Sequence, residues 1–272
     1  GPPPDAIKNM GDKMTARISM RKADVPVIPG EEVDGGLEEV LLAAGRVGYP
    51  LLLKATAGGG GKGMRAVSDP ALLESEAKSA MREAANAFGD DRIYVERLLT
   101  GSRHVEIQIL ADMHGRTIHL GERECSIQRR HQKVFEESPS VALDSELREA
   151  MGAAAVAAAK AVDYVGAGTV EFLLTPKDEF FFLEMNTRIQ VEHPVTEMVT
   201  GVDLVREQLR IAAGEPMSCG DLMIRGHAIE VRLYAEDPAN NFLPAIGKLA
   251  VFKVPQGPGI RLDTGVREGD EV

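Results

Sequence analysis

The sequence predicts an α+β protein, with a small unit of helices and strands followed by a larger unit built around a mixed sheet. Helically spaced apolar residues alternate with short β-rich runs up to about residue 98. Beyond this point, apolar and polar residues alternate along residues 104–109, which is typical of a half-buried strand. An alanine-rich stretch from Leu147 to Val162 predicts a long helix. With 272 residues and 44% apolar content, the chain is long enough to bury a full core.

The first part of the chain, residues 1–25, is predicted to be a helical linker. Apolar positions follow helical spacing over residues 5–23, with an interruption at Gly11. Residues 24–30 are expected to be extended, because each proline there disfavours helix at the residue before it.

A small α+β unit is predicted over residues 26–98. Its elements are a helix over 35–47, a strand over 51–54, a glycine-rich loop, a strand over 64–67, a helix ending near 88 and a strand over 93–96. Gly48 and Pro50 end the first helix, whereas Asp69 and Pro70 supply the N-cap and first turn of the second.

The larger unit is predicted over residues 99–272. Residues 168–174 and 180–184 read as two strands, joined by a hairpin loop that contains Pro176 and Asp178. A further helix over 203–213 ends at Gly214.

Composition excludes several classes of protein. The chain has 31 Lys and Arg against 42 Asp and Glu, a net charge of −11 that repels nucleic acid and anionic lipid. Cys125 and Cys219 are too few and too distant for a disulfide framework or a zinc site, which favours inert thiols in a reducing compartment. The sequence has neither an apolar run of about eighteen residues nor a signal peptide. Because it begins without Met and stops in a charged segment, we expect a fragment cut at both ends.

A glycine-rich loop follows the strand that ends at Lys54. Five glycines lie within the six positions from Gly58 to Gly63, and such a loop lets backbone N–H groups approach phosphate oxygens closely. The loop is not of the Walker A type, because Lys62 is followed by glycine rather than by Ser or Thr. The loop therefore predicts a flap over phosphates, with a flexible linker as the alternative.

Glu171 and Glu184 lie at equal distances from the middle of the predicted hairpin and should face each other. Like charges directly opposite in a ladder destabilise a sheet, unless a cation lies between them. Two carboxylates combined with nucleotide oxygens suit magnesium. The alternative is a pair of solvated surface glutamates.

The segment from Glu184 to Glu192 predicts a polar surface. If it is extended, its even-numbered residues project to one side and its apolar residues to the other. The polar side would carry Glu184, Asn186, Arg188, Gln190 and Glu192. A solvated edge strand is the alternative, although this mixture of residue types is unusual for one.

A basic, amide-rich stretch runs from Gly121 to Lys133 in an otherwise acidic protein. Such a local positive cluster suits an anion such as phosphate or a carboxylate. A charged loop with internal salt bridges is the alternative. Single histidines are assigned no role; they are His114, His119 and His227.

Five stretches together resemble the biotin carboxylase family of ATP-grasp enzymes. They are residues 54–64, 103–108, 122–133, 184–197 and 226–232. The run from Arg188 to Pro194 is close to diagnostic for this branch, whereas a glycine flap and two acidic metal ligands occur in many ATP-grasp ligases. The resemblance covers essentially the whole chain. It implies the ATP-grasp fold, with residues 26–98 as the lid and residues 99–272 as a truncated C-terminal half.

The resemblance also implies a set of site residues. ATP would contact Lys13, Lys54, Gly58, Gly59, Gly60, Gly61, Lys62, Gly63, Met64, Glu96, Arg97, Leu99, His104, Gln128, His131 and Leu173. Mg²⁺ or Mn²⁺ would lie on Glu171, Glu184 and Asn186. Bicarbonate and biotin chemistry would fall to Lys133, Arg188, Gln190, Val191, Glu192 and Arg232.

The family's reaction has two steps. Bicarbonate attacks the γ-phosphate of ATP to give carboxyphosphate, and biotin is then carboxylated at its ureido nitrogen, with released phosphate helping to deprotonate it. Lys133, Arg188, Gln190 and Val191 would hold bicarbonate. Glu192 would be the general base, and Arg232 would stabilise the biotin anion.

Some parts of the family are absent from this sequence. Members carry a further nucleotide-fold subdomain before the region of Gly1 and continue past Val272, and Ala57 replaces a glycine found in some relatives. No Met-Lys-Met motif occurs, so biotin is expected free or on a separate biotin carboxyl carrier domain. A carboxyltransferase subunit is a further expected partner, in a homodimeric or larger parent complex. The expected compartment is the cytoplasm, or the mitochondrial matrix in a eukaryote.

Two alternative functions stay open. Another ATP-grasp ligase, such as a carbamoyl-phosphate synthetase half or an amino-acid ligase, would not need Arg188, Gln190 and Glu192 together with Arg232. A catalytically silent, nucleotide-binding fragment is the other alternative. The final acyl acceptor also stays open among acetyl-CoA, propionyl-CoA, methylcrotonyl-CoA and pyruvate.

Overall fold

The computed structural model describes residues 1–33, 36–56, 64–130, 132–220 and 223–272. These residues divide into two compact units, Gly1–Val231 and Arg232–Val272. The first unit contains two antiparallel sheets with helices packed on them, and it holds most of the predicted site residues.

Two short helices open the first unit, α1 (Pro4–Gly11) and α2 (Lys13–Lys22). Asp12 separates them and caps α2, since its carboxylate accepts a hydrogen bond from the Thr15 N–H at 2.7 Å. Ala16 and Met20 of α2 are buried in the same core as the large sheet. The predicted linker therefore consists of helices that contribute to a core.

The smaller sheet has four antiparallel strands in the order β1-β4-β2-β3. They are β1 (Gly30–Val33), β2 (Leu51–Ala55), β3 (Met64–Val67) and β4 (Ile93–Arg97). Helices α3 (Leu37–Val47) and α4 (Leu73–Phe88) share one apolar core with these strands. As predicted, the Asp69 side chain caps the chain ahead of α4, here through a 3-10 turn at Pro70–Leu72.

The larger sheet has six strands in the order β10-β7-β6-β5-β8-β9. They are β5 (Arg103–Ala111), β6 (Thr117–Arg129), β7 (Gln132–Ser138), β8 (Gly166–Leu174), β9 (Phe180–Asn186) and β10 (Ala228–Val231). The sequence predicts a mixed sheet, but every pairing between these strands is antiparallel. Parallel pairing is limited, in the described part of the chain, to a single bridge between Val27 and Phe182.

Three helices complete the first unit: α5 (Ser145–Lys160), α6 (His193–Thr200) and α7 (Leu204–Ala212). Met151 and Ala155 of α5 pack in the core with Val105 and Ile107 of β5. Because side chains alternate along a strand, this packing leaves the polar residues of β5 on the opposite face of the sheet. The alternation of residues 104–109 thus determines which face of the sheet carries the polar side chains of β5.

The second unit contains two short antiparallel strands, β11 (Glu236–Asp237) and β12 (Leu243–Pro244). Gly247 and Val272 exchange two backbone hydrogen bonds of 2.9 Å each. Within residues 232–272 no residue is buried, so backbone hydrogen bonds rather than an apolar core maintain this unit. None of the described helices, in either unit, is long and apolar enough to cross a membrane.

Candidate active site

A row of four charged residues crosses the large sheet. Arg123 on β6 pairs with Glu106 on β5, Glu106 pairs with Glu171 on β8, and Glu171 pairs with Glu184 on β9. The predicted opposition of Glu171 and Glu184 is therefore confirmed, with a β-bulge immediately beyond it. One guanidinium and three carboxylates lie side by side on the face away from α5.

The ammonium of Lys133, on β7, connects this row to the turn before α6. It donates to Glu106, to Glu171 Oε1 at 3.0 Å and to Glu192 Oε1 at 2.6 Å. Burial lowers the pKa of Lys133, but Glu106 and Glu171 outweigh that effect and hold the pKa well above its ordinary value. Lys133 is thus a permanent cation among three carboxylates.

Glu171 is the most heavily hydrogen-bonded carboxylate of the row. Its Oε1 accepts from Lys133, from Asn186 Nδ2 at 2.9 Å and from Gln190 Nε2 at 2.9 Å. Its Oε2 lies 2.8 Å from His104 Nε2. Burial raises the pKa of Glu171, but His104 and Lys133 lower it far more, so the group stays ionised.

The pKa of Glu184 is shifted in the opposite direction to that of Glu171. Glu184 is exposed, but partial desolvation of its carboxyl, followed by the charge of Glu171, raises its pKa. A divalent cation between the two carboxylates would offset this repulsion. Two carboxylates beside the amide of Asn186 are a donor set that fits magnesium.

A second group of possible ligand atoms comes from His104, Glu106 and Glu171, which lie within 4.8 Å of one another. Glu106 is fully buried, and both of its oxygens already accept hydrogen bonds, from Arg123 and Lys133. Glu106 and Glu171 both have their oxygens engaged by protein donors, so among the carboxylates of the row Glu184 is the one that is exposed.

The predicted extended segment over residues 184–192 is wrong beyond Asn186, where β9 ends. The following residues bend into α6, because Pro194 favours the first turn of a helix and the His193 N–H bonds the Gln190 carbonyl at 3.3 Å. Gln190 and Glu192 nevertheless reach the site from this turn, and they are 6% and 2% exposed.

Arg188 and Val191 of that segment lie on the surface. Val191 is 60% exposed, and the Arg188 guanidinium donates to the Ile189 carbonyl at 3.2 Å. The structure thus brings Lys133, Gln190 and Glu192 together, while Arg188 points along the adjoining turn.

The predicted nucleotide residues Lys54 and Glu96 meet at the small sheet. Glu96 on β4 is 3% exposed, and its two oxygens accept from Arg17 Nη1 at 2.7 Å and from Lys54. Lys13 begins α2, and its pKa is lowered by burial and by the charge of Lys54. Arg17 was not predicted as a site residue, although it lies four residues after Lys13 and therefore on the same helix face.

His104 and Gln128, which are predicted to line the nucleotide and biotin pocket, lie next to each other. The Gln128 amide nitrogen donates to the Cys125 carbonyl at 2.8 Å and lies 3.1 Å from His104 Nδ1. This leaves His104 Nε2 to face Glu171. Leu173 is half-buried and pairs with His104 across β5 and β8.

The other predicted residues are more scattered. Met64 is 37% exposed at the start of β3, Arg97 is exposed at the end of β4, and Leu99 is half-buried just after it. Arg232 begins the second unit and is half-buried. Several predicted residues lie outside the described part of the chain: Gly58, Gly59, Gly60, Gly61, Lys62, Gly63 and His131.

Arg123 and Glu106 belong to the site but carried no role in the sequence analysis. Both are fully buried, and Glu106 Oε1 accepts from Arg123 Nε at 2.6 Å. The signal for Glu106 was the polar alternation with His104 and Gln108 along one strand. Both residues are charged, and both lie buried on the polar face of a strand.

Comparison with known proteins places this geometry in a family. Residues 12–219 match the family described as carbamoyl-phosphate synthase L chain, ATP binding domain, and residues 230–272 match the biotin carboxylase C-terminal domain. A biotin carboxylase from Nostoc sp. is 55% identical over 98% of the chain and 60% of its own length. The mitochondrial methylcrotonoyl-CoA carboxylase subunit alpha of Dictyostelium discoideum is 55% identical over 100% of the chain and 40% of its own length.

A solved structure agrees with these relatives. The biotin carboxylase domain of Hydrogenobacter thermophilus 2-oxoglutarate carboxylase, a dimer in complex with MgADP, ADP and bicarbonate, is 45% identical with a TM-score of 0.90. The match covers 100% of this chain and 61% of that one, so the chain spans between 40% and 61% of the length of these three relatives. By its sequence, its ATP-grasp fold and these matches, the chain belongs to the biotin carboxylase family of ATP-dependent ligases.

Proposed function

We propose that this chain supplies the ATP, bicarbonate and biotin residues of a biotin carboxylase. The reaction is the ATP- and magnesium-dependent carboxylation of biotin, free or on a carrier protein, by bicarbonate through carboxyphosphate. The observation that carries the proposal is the ammonium of Lys133, which lies within hydrogen-bond distance of Glu106, Glu171 and Glu192. One cation thereby connects the proposed metal ligand with the proposed general base.

Bicarbonate binds beside Lys133 in this proposal. Gln190 contributes an amide donor, while Arg188 and the backbone of Val191 lie in the adjoining turn. An anion held at the Lys133 ammonium is close to Glu192, whose Oε1 is 2.6 Å from that ammonium. Glu192 then removes the bicarbonate proton as a general base.

The nucleotide lies between the small and large sheets. Lys13 and Lys54 contact phosphates, the glycine flap from Gly58 to Met64 covers them, and Glu96, Arg97 and Leu99 hold the adenine. His104, Gln128, His131 and Leu173 line the rest of the pocket. The Hydrogenobacter relative, with its MgADP, ADP and bicarbonate, supports this assignment.

Glu171, Glu184 and Asn186 would hold magnesium or manganese, and a bound metal there would supply positive charge to phosphate oxygens. Glu171 and Glu184 fit this role because their mutual repulsion is the cost that a cation removes.

Biotin chemistry is assigned to Arg232, which stabilises the anion that develops on the ureido group. The wider partners follow from this assignment: a biotin carboxyl carrier domain and a carboxyltransferase subunit, in a homodimer or larger complex. The cytoplasm, or an organelle such as the mitochondrion of the Dictyostelium relative, is the proposed compartment. Residues 26–98 act as the lid over the rest.

The test is an ATP cleavage assay on this chain and on the full-length protein that carries it. We expect cleavage by the full-length protein to depend on bicarbonate and to rise with free biotin. Glu192→Gln should lower the bicarbonate-dependent rate by about two orders of magnitude or more. Glu149→Gln changes the charge of an exposed glutamate on α5 in the same way and should leave the rate unchanged.

Two other outcomes would favour the alternatives. Cleavage that depends on a different carboxylate or on an amino acid, and not on bicarbonate, would indicate another ATP-grasp ligase. Nucleotide binding without cleavage by this chain, beside an active full-length protein, would indicate a silent nucleotide-binding fragment.

A further inference from the structure

We propose that Arg123 is a positioning residue for bicarbonate, which orients both Gln190 and Lys133 from beneath the site. The proposal rests on the proposed function, since it concerns two of the side chains assigned to bicarbonate. Arg123 itself is fully buried on β6 and touches no proposed substrate. It acts through its partners.

The guanidinium of Arg123 is surrounded by acceptors. Its acceptors are Glu106 Oε1 at 2.6 Å, Gln108 Oε1 at 2.6 Å, Thr196 Oγ1 at 3.0 Å, Gln190 Oε1 at 3.1 Å and Thr169 Oγ1 at 3.2 Å. A guanidinium has five N–H groups in a fixed planar fork, and five bonds use that capacity in full. The side chain therefore has one orientation, and it connects three strands with the turn before α6.

The first consequence concerns the amide of Gln190. Arginine is only a donor, so the carbonyl end of the amide must face Arg123. The NH₂ end then faces the site, where it lies 2.9 Å from Glu171 Oε1. Arg123 thus selects which end of Gln190 is offered to an anion, and an NH₂ donor is the end that an anion needs.

The second consequence concerns the ammonium of Lys133. Glu106 is fully buried and divides its oxygens between Arg123 and Lys133. Because Arg123 compensates the charge of Glu106, Lys133 is not held by that carboxylate alone and keeps its bonds to Glu171 and Glu192. Without the guanidinium, the buried carboxylate would draw the ammonium toward itself and away from an incoming anion.

Arg148 of helix α5 offers a comparison, because it pairs with a buried glutamate of the same strand as Arg123. Arg148 of α5 binds both oxygens of Glu122 through its Nε at 2.9 Å, and Glu122 is the neighbour of Arg123 on β6. The other acceptors of Arg148 are the backbone carbonyls of Leu143 and Asp144. Glu122 is fully buried whereas Arg148 is half-buried, and the hydrogen bonds of Arg148 include none of the proposed bicarbonate residues.

The experiment measures steady-state kinetics of the full-length protein with Arg123→Lys, which keeps the charge but loses the fork. We expect the KM for bicarbonate to rise about tenfold or more, with the KM for ATP changed by less than about twofold. Arg148→Lys is the control and should leave both KM values unchanged. In combination with Gln190→Ala, the rise caused by Arg123→Lys should be smaller than on its own, since one of its two routes is already lost.

Thr196→Val covers the case in which Arg123→Lys fails to fold. It removes one buried acceptor of the guanidinium by a substitution of similar shape, and we expect the KM for bicarbonate to rise about threefold. An unchanged KM for bicarbonate in whichever of these variants folds, or equal rises in both KM values, would overturn the positioning role. Absence of bicarbonate-dependent cleavage in the unsubstituted protein would instead overturn the proposed function.

Discussion

Glu171 and Glu184 face each other across strands β8 and β9, and the pKa values of their carboxyls are shifted in opposite directions. Burial raises the pKa of both groups. For Glu171, His104 and Lys133 reverse the shift, whereas for Glu184 the charge of Glu171 adds to it. The protein itself thus compensates the charge of Glu171 more fully than the charge of Glu184.

Glu184→Gln should lower magnesium-dependent ATP turnover by orders of magnitude, because one of two charged ligands becomes a neutral amide. Turnover is measured at saturating magnesium in the full-length protein. Glu179→Gln, in the exposed loop of the same hairpin, changes the net charge equally and should behave as wild type. Comparable rates for Glu184→Gln and wild type would exclude the metal role.

The same substitution should slightly stabilise the protein in magnesium-free buffer at neutral pH. The folded pKa of Glu184 lies above its unfolded value of about 4.3, so ionisation costs folding free energy as pH rises through that interval. Because Glu184 is exposed and solvent screens its charge, we expect a small gain, below about 1 kcal/mol at pH 7, that disappears near pH 4. Urea unfolding at the two pH values measures it, and a gain that grows in acid would contradict the assigned sign.

Arg232→Ala should spare ATP binding and strongly lower biotin carboxylation, because its proposed partner is charge that develops on biotin in the transition state. The loss of an interaction made only in the transition state lowers mainly kcat. Nucleotide affinity by calorimetry and carboxylation rate are compared in the full-length protein. Arg267→Ala, a substitution of an exposed arginine in the same unit, is the control. A large loss of ATP affinity with a normal carboxylation rate would show that Arg232 acts in nucleotide binding and not in the carboxylation of biotin.

Arg17→Met should destabilise the first unit by about 3 kcal/mol, because it leaves the buried Glu96 carboxylate with one cation fewer. Thermal or urea unfolding measures the change. Arg46→Met is the control, because Arg46 forms an equally short ion pair with Glu31. Both of these side chains are exposed, so the pair should contribute little to the free energy of unfolding. Similar losses for the two variants would show that burial of the Arg17–Glu96 pair has no special weight.

Tyr94→Phe should leave stability unchanged or raise it by up to about 1 kcal/mol. Its buried hydroxyl has no hydrogen-bond partner among the described residues, and burial raises its pKa to about 12. Phenylalanine keeps the ring, whose centroid lies 4.8 Å from the Arg17 guanidinium carbon. Tyr164→Phe should instead cost about 1 kcal/mol, because the Tyr164 hydroxyl donates to the Ala167 carbonyl at 2.8 Å. A larger loss for Tyr94→Phe than for Tyr164→Phe in the same unfolding assay would reveal a partner for the first hydroxyl.

Local pattern was enough to predict most elements of the fold. The predicted helix over 35–47 is observed over 37–47, and the predicted strand over 51–54 is observed over 51–55. Such elements are determined by apolar spacing and by glycine, proline and aspartate at their ends, and all of these are visible within about ten residues. The pairing of Glu171 with Glu184 could also be predicted locally, because residues at equal distances from a hairpin turn face each other across its two strands.

Two features of the site could not be predicted in this way. The polar alternation of residues 184–192 suits a strand, but the turn before α6 forms because Pro194 begins that helix and Gln190 accepts from His193. Arg17 and Arg123 were missed because their carboxylate partners, Glu96 and Glu106, lie 79 and 17 residues away in sequence. Only the tertiary fold shows that these cations are buried beside catalytic candidates.

The segment after α2 covers the open edge of the large sheet. Strand β9 ends the six-stranded order, and its run Phe180–Phe181–Phe182 is a sequence that favours self-association when a strand edge is bare. The Phe182 N–H instead donates to the Pro26 carbonyl at 2.7 Å, and Val27 bridges Phe182 in parallel. Pro26 and Pro29 have no N–H to offer to another chain. Detachment of this short segment would therefore expose an aromatic edge, so the same bridge protects the protein against intermolecular strand addition and aggregation.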